Sequence, residues 1–305
     1  IYPQEQDTSS DGDNKQFWWY TSETHPILAS FGETVEYTKL KVATYNIGSC
    51  IKLGTDNHTS VLGGVVNFIY DNNIDVCMLQ EVDKNCTRTG SVDQAKAIAT
   101  GLKELTGKEY YYAYVPALEN TWVPIYGTIT SCGIAIVSRY PITSQPAIED
   151  GSMAYLEFDG QEEKRVIAKA MVDVDGTETA VIFTHFDNAE DSTVREKAVE
   201  VLKTMLDGID ASTPVIFGGD LNQAYGGEDT AVISTISQYL TSVTKSRYDA
   251  TTSMAGSTWY QLDYIFTNAL VECGRAKVYT PTSTTVEGEL SDHRPLVVNL
   301  YMNIK

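Results

Sequence analysis

Basic residues are scarce in this chain. Its 305 residues include 22 Lys and Arg against 41 Asp and Glu, a formal net charge of -19, and no Lys/Arg-rich tract interrupts that excess. Proteins that hold long nucleic acid displace its counterions with a basic surface, so the charge argues against tight non-specific binding to DNA or RNA. Cysteine is scarce too. Cys50, Cys77, Cys86, Cys132 and Cys273 show no metal-finger spacing, and an odd number cannot all pair within one chain. No apolar run reaches the roughly 18 residues that a helical membrane span needs. Also missing are a phosphate-binding G-x-x-x-x-G-K-[ST] loop, a G-x-G-x-x-G turn after a strand, a G-x-S-x-G nucleophile elbow and an H-E-x-x-H zinc helix. Those absences remove nucleotide-cofactor folds, serine hydrolases and zinc proteases from consideration.

What is present is a regular alternation of elements. Residues 40–47, 74–79, 110–115, 133–138, 153–158, 166–174, 180–185, 214–217, 262–266 and 295–304 read as strands. Helical periodicity appears over 61–70, 92–105, 190–206 and 231–240, with Ser91 as a cap for the second helix. Several strands in the middle follow one another without room for helical crossovers, which argues against a purely parallel sheet or a barrel. Two mixed sheets packed together, each covered outside by helices, account for the pattern. Residues 1–37 lack sustained periodicity and read as an N-terminal arm, its aromatic knot at 17–20 packing back on a single domain of residues 38–305. A start at Ile1 followed by a polar stretch at 4–15 is what a removed export signal leaves, so a secreted or periplasmic location is the expectation.

Chemistry concentrates where strands meet turns. Asn46, Glu81, His185, Asp220 with Asn222, Asp263, and Asp292 with His293 each adjoin a hydrophobic run, and such positions are both rigid and accessible. Singly, each has a bland reading: Asn46 a turn cap, Glu81 a solvent-facing acid, Asp220 and Asn222 turn residues after a Gly218-Gly219 turn. Asp263 is harder to dismiss, because an unpaired buried carboxylate costs several kcal/mol. Together they supply hard oxygen ligands from Glu81, Asp292 and Asn46, of the kind Mg²⁺ or Ca²⁺ prefers. They also supply His293 as a general base that Asp263 would orient. His185 and Asn222 would stabilise charge developing on phosphorus.

These segments, ATYNIG, MLQEVD, GIAIVSRYPI, FTHFD, GGDLNQ, LDYIF and SDHRPL, resemble in kind and order the endonuclease/exonuclease/phosphatase superfamily, the DNase I-like proteins. The resemblance covers residues 40–304. It implies an α+β fold, a four-layer α/β/β/α sandwich with two packed mixed β-sheets, and a monomeric metal-dependent phosphoesterase. By motif, Glu81 and Asn46 resemble the metal-site pair, with Asp292 contacting the ion directly or through water; Mg²⁺ is implied, with Mn²⁺ or Ca²⁺ as alternates. Asp220 and Asn222 resemble the pair that orients water and holds phosphate, Asp263 the partner of His293, and His185 the residue that contacts phosphate and protonates the leaving group. Arg139, in SRYPI, and Arg88, in a variant of an R-S-G-x-x-D-Q stretch, are candidates for binding an anionic substrate. The charge favours a small phosphate ester or lipid headgroup, with peripheral membrane contact through an aromatic edge at 121–126. A nuclease is the second reading, and a non-catalytic binding protein on the same scaffold the third.

Overall fold

Two parallel strand pairs organise the molecule. Strand Tyr37–Asn46 runs parallel to Val76–Asp83, and strand Thr177–His185 runs parallel to Val215–Asp220. Parallel neighbours need a long crossover, and the two connections carry the helices Leu62–Asp71 and Thr193–Asp207. The computed structural model describes residues 18–21, 24–28, 37–51, 61–123, 128–224, 231–244, 252–255, 258–281 and 289–303.

Each parallel pair is the centre of a seven-stranded mixed sheet. In the first, the order is Val271–Cys273, Leu296–Asn303, Tyr37–Asn46, Val76–Asp83, Thr128–Ser138 and Tyr111–Val123, with Lys277–Val278 beside Leu296–Asn303. In the second it is Thr241–Ser242, Asp263–Thr267, Val215–Asp220, Thr177–His185, Arg165–Val174 and Ile142–Ser144, with Met153–Leu156 also on Arg165–Val174.

Alternation along the strands sorts the core into three layers. Leu40, Val42, Met78, Ile136, Val181, Phe183, Ile216 and Ile265 face one another between the sheets. Ala43, Tyr45, Cys77 and Leu79 point outward onto Val65, Ile69, Ile98 and Leu102 of the first two helices. Ile182, Phe217 and Phe266 point outward onto Ala198, Leu202, Val232 and Ile236 of the last two. Helix, sheet, sheet, helix is the expected four-layer sandwich. Among the described residues, no helix is long and apolar enough to cross a membrane.

Three local expectations change. The second helix is Gln94–Thr106, capped by the Asp93 side chain on the Lys96 N–H rather than by Ser91, which holds a left-handed backbone. The strands Tyr111–Val123 and Thr128–Ser138 form a longer hairpin than the apolar runs alone indicate. Within the arm, Trp18–Thr21 and Thr24–Leu28 pair as a separate two-stranded sheet; the packing of the aromatic knot falls outside the described residues.

Candidate active site

Side-chain parity brings the candidate residues to one place. Leu40 and Val42 face the space between the sheets, so Asn46, an even number of residues on, faces the same space at its end. The same count carries Phe183 to His185, Ile216 to Asp220 and Ile265 back to Asp263. His185 pairs with Asp220, and Asp220 with Asp263, across the second sheet. Asp263 opens its strand and His293 precedes strand Leu296–Asn303. The expected placing of polar groups at strand ends therefore holds for Asn46, His185 and Asp220, while Glu81 lies two residues inside the end of strand Val76–Asp83. An antiparallel neighbour begins where a parallel pair ends, which brings the other two to the same edge.

Glu81 breaks this count and needs a device to reach the site. Leu79 pairs with Ala135 and Val82 with Gly133, so two residues, Gln80 and Glu81, stand opposite one. Leu79 and Val82 both pack toward the helices. The β-bulge therefore gives Glu81 to the inter-sheet side, at the cost of a left-handed backbone with φ 52°. There Glu81 Oε1 accepts a 2.9 Å hydrogen bond from Asn46 Nδ2.

Gly218 and Gly219 belong to the strand rather than to a turn after it. A Cβ on Gly218 would lie 2.5 Å from Met78 Cε across the sheets, and one on Gly219 would lie 2.1 Å from the Thr184 carbonyl oxygen. Their size lets the two sheets and the neighbouring strand close around Asp220.

Asp220 is the hub. Its Oδ2 accepts from Asn46 Nδ2 at 3.2 Å and lies 3.4 Å from His185 Nε2 and 3.5 Å from His293 Nε2. Its Oδ1 accepts the Asn222 backbone N–H at 2.9 Å. His293 Nδ1 meets Asp263 Oδ2 at 2.8 Å. Burial lifts Asp220 to about 7, opposed by His293 and reinforced by Asp263. Burial alone would pull His293 down; the Asp263 and Asp220 carboxylates outweigh it and raise the imidazole to about 10. Between those values the arrangement is a buried imidazolium flanked at both nitrogens by carboxylates.

His185 has opposite surroundings. Its Nδ1 lies 3.1 Å from Arg165 NH1, and burial together with that guanidinium and His293 keeps it well below the ordinary histidine range. Asn222, at φ 48°, places Nδ2 3.2 Å from His185 Nε2 and donates to the Phe186 carbonyl at 2.9 Å. Nothing in the local sequence EEKR distinguishes Arg165 from a surface residue, so sequence reasoning missed it. Asp187, which accepts three backbone N–H groups from Glu162, Glu163 and Ala189, was also missed.

Three other expected residues sit differently. Asp292 is exposed and joins the cluster through Ser291, whose hydroxyl donates to the Asn46 carbonyl at 2.8 Å and lies 3.3 Å from Asp292 Oδ1. The Arg88 guanidinium grips fully buried Asp83 at 2.6 and 2.7 Å and donates to Ser49 Oγ at 2.9 Å, a structural anchor beside the Asn46 turn. Arg139 makes a structural ion pair. It pairs with Asp75 at 3.1 Å and Tyr140 at 2.9 Å, at the opposite end of strand Val76–Asp83 from Glu81. Of the aromatic edge, Trp122 is exposed beside its cross-strand partner Ile129; residues 124–126 fall outside the described set.

Two groupings bear on a metal. Asp220, Asp263 and His293 bring ligand atoms within 4.8 Å of one another, but those atoms already serve the imidazole's hydrogen bonds. Glu81 and Asp292 offer hard carboxylate oxygens, and a strained backbone directs Glu81 inward; Asn46, the third expected ligand, turns its Nδ2 to Glu81 and Asp220 and its oxygen to the Gly48 N–H, so it would have to reverse its amide to join them. That donor set fits a hard divalent cation.

The model of the Endonuclease/Exonuclease/phosphatase family matches residues 43–293. Solved structures share the fold. An endonuclease/exonuclease/phosphatase from Beutenbergia cavernae is 20% identical, with a TM-score of 0.66 over 87% of this chain and 72% of its own. A mannosyl-6-phosphatase from Bacteroides thetaiotaomicron is 19% identical, with a TM-score of 0.59 over 86% of this chain and 99% of its own. D. rerio TDP2 complexed with single strand DNA product is 17% identical, with a TM-score of 0.59 over 86% and 99%. Among curated proteins, none matches the chain in sequence.

Proposed function

The chain belongs to the endonuclease/exonuclease/phosphatase family, whose members are phosphoesterase hydrolases, and from that premise we propose that it is a divalent-metal-dependent hydrolase of a small anionic phosphate ester. The observation that carries this reading is the chain Asp263, His293, Asp220, Asn46, Glu81, in which each side chain lies within 3.5 Å of the next. It joins a proton-handling end to a cation-binding end.

Glu81, Asn46 and Asp292 would hold Mg²⁺, or Mn²⁺ in its place, and the bound cation would supply Lewis-acid stabilisation of phosphate charge. The protein's own groups divide the rest. Asp220, ionised above about 7, accepts a proton from the attacking water and orients it along with Asn222. His293 is then the charged partner of that carboxylate rather than the base, its Nδ1 fixed by Asp263. His185 and Asn222 present donors to the phosphate oxygens.

The acidic balance of the chain favours a small substrate, and the likeness to a mannosyl-6-phosphatase supports the same ordering. The likeness to TDP2 supports a nucleic-acid substrate as the second reading. The test is a side-by-side assay of p-nitrophenyl and bis-p-nitrophenyl phosphate, sugar and inositol phosphates, sphingomyelin and plasmid DNA, with Mg²⁺, Mn²⁺ or excess EDTA. Full turnover in EDTA would remove the metal from the mechanism. Turnover of DNA alone would reverse the substrate order.

A further inference from the structure

Arg165 NH1 stands 3.1 Å from His185 Nδ1, and both side chains are buried. A guanidinium has five donors, no acceptor, and does not deprotonate in proteins. The ring nitrogen facing it must therefore carry the lone pair. A protonated Nδ1 would set two donors head to head in a site with little water. We infer that Arg165 is a positioning residue that locks His185 as the neutral Nε2–H tautomer, so that His185 donates a hydrogen bond to phosphate but keeps its proton when the ester bond breaks. This rests on the phosphoesterase reading for what the donor acts on, and departs from the leaving-group acid that the motif implies.

His185 Nε2 lies 3.4 Å from Asp220 Oδ2, an acceptor suited to an Nε2–H. Asn222 Nδ2 is 3.2 Å from the same nitrogen and gives one of its two hydrogens to the Phe186 carbonyl. Its second hydrogen competes with Asp220 for Nε2, and the Arg165 donor at Nδ1 decides the tautomer in favour of Nε2–H. Burial and the Arg165 charge both disfavour the imidazolium.

Arg165 is itself held in place. Its NH2 pairs with Glu163 at 2.8 Å. Asp187, two residues after His185, accepts the Glu162 and Glu163 N–H groups at 3.1 and 2.9 Å. The segment that carries the arginine is thus clamped to the segment that carries the histidine. Arg165 Nε is buried without a hydrogen-bond partner, a cost that a purely structural arginine at a strand end has no reason to bear.

The test is ring-nitrogen NMR on protein labelled at histidine. The chain has four histidines, and the His185 signals are assigned by their loss in His185→Gln. The expected wild-type spectrum shows an unprotonated Nδ1 and a protonated Nε2, unchanged across neutral pH. Arg165→Leu is expected to free the ring to titrate, with kcat falling about 10- to 100-fold and KM little changed. Arg165→Lys keeps a charged donor and is expected to restore the wild-type spectrum and most of kcat. A wild-type ring protonated at Nδ1 overturns the inference, and so does an Arg165→Leu spectrum identical to wild type. If Arg165→Leu does not fold, the wild-type and Arg165→Lys spectra still decide. The spectrum needs neither substrate nor metal, so its failure is distinct from a failure to find phosphoesterase activity.

Discussion

Asn46 and Asp220 come from different sheets and share a 3.2 Å hydrogen bond, Nδ2 to Oδ2, while the same amide nitrogen donates to Glu81 Oε1 at 2.9 Å. One primary amide has two hydrogens, and both are used to hold a carboxylate on each side of the cleft. Its oxygen accepts the Gly48 N–H at 3.1 Å, which fixes which way the amide faces.

Asn46→Ala is therefore expected to release Asp220 and Glu81 together. Charge-assisted bonds of this kind contribute about 1.5–3 kcal/mol each, so with two removed unfolding by denaturant should show a loss of at least about 1.5 kcal/mol and up to about 6 kcal/mol, and kcat should fall at least about tenfold. Asn46→Asp keeps the size but sets a third carboxylate against the other two. It should lower kcat at least as far. Wild-type kcat in either variant would show that the bridge has no part in turnover.

Arg88 and Asp83 form an enclosed ion pair, with side-chain exposures of 10% and 0%. Removing one partner of a buried pair strands the other and costs about 3–5 kcal/mol. Arg88→Ala should show a loss of that order in denaturant unfolding, because Asp83 also anchors the Ser49 turn beside Asn46. A loss below about 1 kcal/mol accompanied by a raised KM would return Arg88 to substrate binding.

Periodicity and motif order carried the four-layer fold into view, because strand parity and helix rhythm are local properties of the chain. Pairing direction is not local. Arg139 lies within a family motif in sequence, yet strand Thr128–Ser138 runs antiparallel to Val76–Asp83, so its end lies beside Asp75 rather than Glu81. Nor does VCMLQEVD announce a bulge, since a register shift depends on the partner strand. Arg165 was illegible for a similar reason: its function depends on the ring across the strand pair, and its neighbours Glu162, Glu163 and Lys164 read as a solvated face. By contrast, Asp263 was legible because a carboxylate in a buried run needs a partner, and His293 is within 2.8 Å of it.

The metal-free protein should lose stability as pH rises. His293 has its folded-state value raised from 6.5 to about 10, so the folded state holds the proton more tightly than the unfolded chain. That contribution is complete below 6.5 and disappears as pH climbs toward about 10. Denaturant midpoints measured across this window should fall for wild type, and the fall should be smaller for His293→Gln, which has no proton to lose there. A wild-type midpoint that rises over the same window would contradict the imidazolium assignment.

Glu81 lies at the end proposed to bind a cation, and its left-handed backbone is a cost the fold bears to direct one carboxylate inward. A ligand that binds only the native state stabilises it by RT ln(1 + [L]/Kd), about 2.7 kcal/mol at a hundred times Kd. Mg²⁺ or Mn²⁺ should therefore raise the thermal midpoint of the wild-type protein in a concentration-dependent way, and EDTA should reverse the rise. Glu81→Gln keeps the hydrogen bond acceptor for Asn46 but halves the oxygen donors and removes the charge, so its midpoint should barely respond to the same additions. Turnover in that variant should fall by orders of magnitude. The two readouts separate the explanations. A midpoint that still rises with Mg²⁺ in Glu81→Gln places the cation on other residues, the Asp220, Asp263 and His293 group being the nearest alternative, and the variant Asp263→Asn would then be the one to abolish the response.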